Sequence, residues 1–270
     1  MGRGSSSGDD DVFVIESGLD LEADALREPL FASDFGRYEF RPAKKWKVIF
    51  PYQVEGGSRL LTEDELKKRW PKTYRHLKSH EAALRNRKQF QEWYGYSAPR
   101  NLEIHERAHI AVPLLADRGL FCLIPETYGG RLCPMASGGF TITVGGGASV
   151  SPHFVLALLN SRLLFWCLRG ISNVFRGGWI ACTKQYLGEL PIRVMDPKNQ
   201  ADQAAHDHIV ALVEKMLSLH RQRILTKTPH EQTALDRQIA VTDAQIDREV
   251  YALYGLTDEE ITLVEGASAA

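Results

Sequence analysis

The chain has 270 residues, 33 of them basic and 34 acidic, with 44% hydrophobic residues and a formal net charge of −1. That length suits one large domain, or one domain with an appendage, and can bury a proper core. The four cysteines (Cys122, Cys133, Cys167 and Cys182) lack CxxC spacing, which argues for buried thiols over metal ligands or disulfides.

The near-zero charge hides an uneven distribution. Residues 1–40 carry three Lys/Arg against ten Asp/Glu, residues 41–195 carry 23 against 11, and residues 196–270 carry seven against 13. A basic centre between acidic ends suggests a middle that faces a polyanion, because phosphate contacts supply most sequence-independent affinity for DNA.

In chain order, MGRGSSSGDDD (residues 1–11) reads as a flexible tail, with no apolar core of a signal peptide. Val12 to Ile15 and Trp46 to Tyr52 read as strands. Thr62, with Glu65 three residues on, predicts a capped helix start, and Pro71 the first turn of a second helix. From Lys67 to Lys88 there are nine cations (Lys67, Lys68, Arg69, Lys72, Arg75, Lys78, Arg85, Arg87 and Lys88) and one acid, Glu81. Trp70, Tyr74, Phe90, Trp93 and Tyr94 are interleaved or adjacent.

Strands are expected at His109 to Pro113, Leu120 to Ile124 and Phe140 to Val144, with glycine turns at Gly129–Gly130 and Gly145–Gly147. Ser151 as N-cap and Pro152 as first helical residue predict a helix running to Leu168. Its apolar run contains Asn160 and Arg162 and is too short to span a bilayer, so a cytoplasmic chain without a membrane partner is expected. DPKNQADQ reads as a linker. Beyond it, Ile209, Leu212, Val213, Met216 and Leu217 form one apolar stripe, and Leu235, Ile239, Thr242, Ile246, Val250 and Leu253 another. LTKTPHE breaks them apart, which predicts an antiparallel helical hairpin. Gly255 ends the second helix, and Thr257 with Glu260 caps a short third.

Catalytic signatures are sparse. HERAH, His105 to His109, matches the zinc-hydrolase pattern HExxH, with Glu126 as a possible third ligand. It runs into the strand-like IAVPLL, however, where a zinc helix would continue. No P-loop or GxGxxG motif occurs, and Glu65-Leu66-Lys67 is a bare ExK on a helix. His76 and His80 share a helix face, where a phosphate-facing or solvated role fits better than metal.

Several segments, in order, resemble the C-terminal specificity region of TaqI-type adenine DNA methyltransferases and type IIG restriction–modification enzymes. LFASDFGRY (Leu30 to Tyr38) is similar to the family's opening element, although Ala32-Ser33 replace its glycine and basic residue. WKVIFPY, EWYGYSAPR (Glu92 to Arg100) and HIAVP (His109 to Pro113) resemble the elements that follow. The most specific matches are LALLNSRLLFWCL (Leu156 to Leu168) and FRGGWIACTKQYLGELPI (Phe175 to Ile192), and the helical tail completes the order.

The resemblance implies an α+β target-recognition domain at residues 12–195, a mixed sheet with flanking helices, followed by an α-helical hairpin and short terminal helix at 196–270. It implies sequence-specific binding of double-stranded DNA. Arg176, Lys184 and Gln185 are the expected contacts near the bases, and the cations from Lys67 to Lys88 are the expected phosphate surface. It further implies a methyltransferase catalytic domain in cis or in trans, which binds S-adenosylmethionine and grips a flipped adenine. Neither that domain's Asn/Asp-Pro-Pro-Tyr/Phe loop nor a cofactor glycine motif occurs here, so the chain reads as the specificity half alone. The competing readings are a non-catalytic protein-assembly module and a zinc hydrolase acting through His105, Glu106 and His109.

Overall fold

The computed structural model describes residues 1–42, 44–145 and 150–268. They form an α+β fold of short strands and helices with a C-terminal helical hairpin. The chain divides into two compact units. Unit 1 takes Met1–Asp34, Arg41–His109 and Ile124–Thr143, and unit 2 takes Phe35–Phe40, Ile110–Leu123 and Val144–Ala270.

Unit 1 is built on a mixed sheet. Leu132–Pro134 runs parallel to Leu26–Leu30, which pairs antiparallel with Trp46–Ile49, which pairs in turn with Val14–Glu16. The strand expected from Val12 to Ile15 thus starts two residues late. Asp9 accepts from the Val12 amide and turns Asp10–Phe13 into a short helix first. Thr62 and Glu65 close the predicted capping box, and Pro71 opens the helix Pro71–Ser79. These helices and the short Glu81–Arg85 put Leu66, Leu77 and Leu84 into a core shared with Val48, Ile49, Trp93 and Tyr96. Phe13 meets Tyr96 edge to face at 5.2 Å, a geometry aromatic quadrupoles favour.

The first eleven residues, flexible by composition, are laid into this unit instead. Gly2 and Arg3 pair with Thr141 and Phe140. Ser6 exchanges backbone bonds with Ala98 (3.0 Å each way), and Ser5 and Ser7 are fully buried. Their glycines are there for space: a Cβ on Gly4 would lie 2.2 Å from the Met135 carbonyl oxygen. Composition reports backbone freedom, and here that freedom permits close threading.

Unit 2 carries the hairpin. Gln200–Leu225 and Pro229–Tyr254 are helices of 26 residues each, the second ended by Gly255 at φ 68°. Arg223 pairs with Asp236, and His208 approaches Glu249 at 3.4 Å, which fixes the antiparallel order. Ile209, Val213 and Met216 on one side and Thr242, Ile246 and Val250 on the other are buried. Thr257 and Glu260 bond reciprocally ahead of Asp258–Ser268.

The helix predicted from Ser151 to Leu168 is two helices, Pro152–Asn160 and Arg162–Ile171, bent by 65°. The break follows from Asn160. Its side chain exchanges two 3.0 Å bonds with the Phe121 backbone, and Ser161 turns extended to cap the second helix through the Leu164 amide. Among the described residues no single helix is long and apolar enough to cross a membrane. Gly146 and Gly147 of the expected glycine turn lie outside the described residues.

Candidate nucleic-acid interface

The basic stretch from Lys67 to Lys88 sorts into three kinds of residue. Arg87 points inward. Its guanidinium donates to the carbonyls of Ser7 (2.6 Å), Leu84 (2.8 Å), Gly95 (2.9 Å) and Trp93 (2.5 Å), and burial lowers its pKa. The residue expected on the phosphate surface thus bolts the N-terminal segment at Ser7 to the Trp93 loop.

Lys67, Lys72, Lys78 and Arg85 are exposed but already paired, with Glu63 and Asp64, Asp20, and (for the last two) Glu81. Lys78 and Arg85 also lie over the Trp93 ring at 5.2 and 5.6 Å. Lys68, Arg69, Arg75 and Lys88 are exposed and form no ion pair among the described residues. His76 turns onto the Val12 carbonyl, and Glu65 of the ExK fragment is held by Arg59 and Thr62, with a pKa down to about 2. Neither is placed for chemistry.

Folding also redistributes the charge. Unit 1 holds 19 Lys/Arg and 18 Asp/Glu, and unit 2 holds 14 and 16. The acidic first segment packs back on the basic centre: Asp20 pairs with Lys72, Glu22 receives the Lys72 and Thr73 amides, and Glu28 pairs with Lys47. A polyanion would therefore meet a local cationic patch, not a basic domain.

Such a patch exists in unit 1, mostly outside the predicted stretch. Three adjoining hollows of about 720, 300 and 540 Å3 share Arg27, Glu28, Lys47, Arg69, Gly130 and Arg131 among their linings. Lys44 and Arg107 extend the row. Within it, Arg27 pairs with Glu106 (3.2 Å) and Lys47 with Glu28, while Lys44, Arg69, Arg107 and Arg131 are exposed, four cations against the two exposed acids of the same linings, Asp24 and Glu55. Only Arg69 of these belongs to the basic run. The others come from separate strands and turns: Lys44 and Lys47 from the short basic cluster RPAKKWK (residues 41–47), and Arg27, Arg107 and Arg131 from places with no local run of cations. The signal that could have found them is the sheet order that brings Leu26–Leu30, Trp46–Ile49 and Leu132–Pro134 side by side.

In unit 2, Arg176 sits at the tip of a tight hairpin, exposed, while Lys184 and Gln185 occupy the exposed first turn of Lys184–Leu187 behind Thr183. The turn is closed by backbone bonds, Gly178 N–H to Phe175 O at 3.2 Å and Phe175 N–H to Trp179 O at 2.6 Å. Trp179 is 39% exposed, in contrast to the buried Trp93 and Tyr94.

The HERAH motif is structural. Only His105 and Glu106 lie in the five-residue helix Leu102–Glu106, so His109 is off it. His105 is buried between the Thr141 hydroxyl (2.9 Å from Nδ1) and the Arg3 carbonyl (3.1 Å from Nε2), which occupies both ring nitrogens. Burial pushes its pKa down to about 4, and Glu106 binds Arg27. Among the described residues no three His, Cys, Asp or Glu side chains are grouped to hold a metal ion. None of the four cysteines forms a disulfide among the described residues, and burial pushes the Cys133 and Cys182 thiols up to about 12, far from a reactive thiolate.

The GRY end of LFASDFGRY is also structural. Arg37 grips Asp243 and the carbonyls of Gly119 and Asn160, and Tyr38, at φ 57°, is buried beside His220.

Among known proteins, the chain is 22% identical over 233 residues to the type II restriction enzyme and methyltransferase RM.Eco57I of Escherichia coli. The match covers 81% of this chain and 23% of that enzyme, so the chain spans about a quarter of the length of this relative. No family model matches it.

Proposed function

We propose that the chain is the DNA-reading module of a restriction–modification enzyme of the TaqI-like, adenine-N6 type, working with a methyltransferase domain supplied in cis or in trans. The observation that carries this reading is the similarity to a restriction enzyme and methyltransferase across 81% of the chain, drawn from both units. The cationic row of Lys44, Arg69, Arg107 and Arg131 supports it, because exposed cations that form no ion pair among the described residues, set in a concave row, suit a phosphate backbone.

Lys68, Arg75 and Lys88, exposed but outside those linings, are further candidates for phosphate contact. Arg176 and Gln185 have the side chains that grip guanine O6/N7 and adenine N6/N7 through paired bonds, with Lys184 beside them. S-adenosylmethionine belongs to the catalytic partner in this reading, and the complex works in the cytoplasm.

Titration of labelled duplex DNA with the full chain at rising salt tests the proposal. Binding should weaken steeply between about 50 and 200 mM salt, as counterion release requires. Absence of binding at the low-salt end would overturn it. A second reading, an assembly module, draws on Ile224 and Leu225, 53% and 78% exposed at the end of the first hairpin helix. It predicts self-association or partner capture that Leu225→Ser abolishes, with no effect of salt on DNA.

A further inference from the structure

We propose that the hairpin running from Val174 to Ile180 is a wedge that enters the base stack of duplex DNA. Phe175 and Trp179 supply the stacking faces and Arg176 the cation between them. The inference rests on the DNA-binding reading above and adds a mode of engagement to it.

Its first support is exposure. Ile171, Val174, Phe175 and Trp179 are 46, 63, 49 and 39% exposed, a concentration of large apolar side chains that a surface without a partner rarely carries. The second is stiffness. Val174 bridges Ile180, Phe175 N–H donates to Trp179 O (2.6 Å), and Ala181 N–H donates to Asn173 O (3.2 Å). The Ser172 hydroxyl donates to Ala181 O at 2.7 Å. Gly177 and Gly178 stand at φ 82° and 77°, which lets the chain reverse within two residues and leaves Arg176 at the apex.

The root is anchored: Ile180 and Ala181 are buried and pair with Ala116 and Leu115. The aromatic faces are thus presented with little ordering left to do on binding. That is what a side chain inserted between base pairs requires.

Charge selects the occupant. From Val144 to Gly188 the sequence has no Asp or Glu; of its four cations Arg162 pairs with Asp247 and Glu265, while Arg176 and Lys184 are exposed. An acid-free, aromatic, cation-tipped projection suits a polyanion whose interior is a stack of flat rings. Every base has a π-face, so the contact needs no particular sequence.

The test compares binding of the full chain to an intact duplex and to the same duplex with one abasic site, where the stack is already interrupted. The wild type should prefer the abasic duplex by about tenfold, since a wedge no longer has to unstack a step there. Phe175→Ala combined with Trp179→Ala should erase the preference while leaving salt-dependent binding to the intact duplex. Both side chains are exposed, so the thermal midpoint should stay at the wild-type value. Arg176→Ala alone should weaken both duplexes equally.

Equal binding of the two duplexes by the wild type, or a preference that survives the double substitution, overturns the wedge and leaves the DNA-reading module standing. Loss of self-association in the double variant with unchanged DNA binding assigns the hairpin to a protein interface and also overturns it. Failure of the wild type to bind either duplex at low salt overturns the DNA reading, and the wedge with it.

Discussion

Arg37 and Asp243 are joined through two guanidinium nitrogens although 206 residues separate them in the sequence. The Arg37 Nε lies 3.2 Å from each carboxylate oxygen, and Nη1 donates to the carbonyls of Gly119 and Asn160. One side chain therefore ties the Phe35–Phe40 segment, the backbone at Gly119 and the bent helix pair to the second hairpin helix. Arg37→Ala strands Asp243 and two carbonyls together. Unit 2 should lose on the order of 3 kcal/mol. Amide exchange at Ile246 and Val250 would report this as faster opening, and unchanged protection there would refute it.

His105 gives unit 1 an acid-sensitive element. Its folded-state pKa, pushed down to about 4 by burial, lies below the ordinary 6.5. Between those values the unfolded chain takes up a proton that the folded chain refuses. Stability should therefore fall as pH drops from about 6.5 to 4 and level off below, by up to roughly 3 kcal/mol. His105→Gln, which keeps a donor and an acceptor for the Arg3 carbonyl and Thr141, should flatten that slope. Urea unfolding at pH 4.5 and 7 is the measurement. A variant with the wild-type slope would show that His105 does not carry it.

The contrast between these two residues shows what the sequence made legible. Helix starts and stops were readable because they depend on local chemistry: the Thr62–Glu65 box, Pro71, Gly255, and the Thr257–Glu260 cap. The hairpin stripes were readable for the same reason. Roles set by distant partners were not. Asn160 breaks a helix because of Phe121, Arg87 turns inward because Ser7 threads beside it, and His105 is a packed histidine because Arg3 and Thr141 enclose it. The cationic row escaped for a related reason, since Arg107 and Arg131 are isolated in sequence, Lys44 belongs to a separate short basic cluster, and they meet only through the fold.

Asp247 should behave opposite to His105, in the other unit. It is buried, accepts from the Arg162 amide (2.9 Å), and has its second oxygen 3.2 Å from Arg162 Nε, out of line for a hydrogen bond. Burial pushes its pKa up to about 6, from an ordinary 3.8. The folded state therefore holds a proton that the unfolded chain releases, so stability declines as pH rises from about 3.8 to 6 and is flat above. The full span is on the order of 3 kcal/mol. Asp247→Asn keeps an acceptor for the Arg162 amide without the charge and should remove this decline. Exchange protection in the helix Pro229–Tyr254, followed from pH 4 to 7, would show it. A decline that persists in the variant would place its origin elsewhere.

The cations of unit 1 should differ sharply in what their loss does. Lys44 and Arg131 are exposed in the concave row, so Lys44→Glu with Arg131→Glu should weaken DNA binding at least about tenfold and flatten its salt dependence, each lost phosphate contact removing roughly 0.9 from the log–log slope. Lys78→Ala with Arg85→Ala should cost much less, because both already neutralise Glu81 and lie over Trp93. Arg87→Ala should leave the binding of folded protein unchanged and instead destabilise unit 1 by about 3 kcal/mol, since it uncovers four carbonyls. Salt titrations of the three variants, each paired with a urea melt, separate these outcomes. A greater loss of affinity from Lys78→Ala with Arg85→Ala than from the row variant would mean that the helices from Glu63 to Arg85, and not the concave row, meet the phosphates.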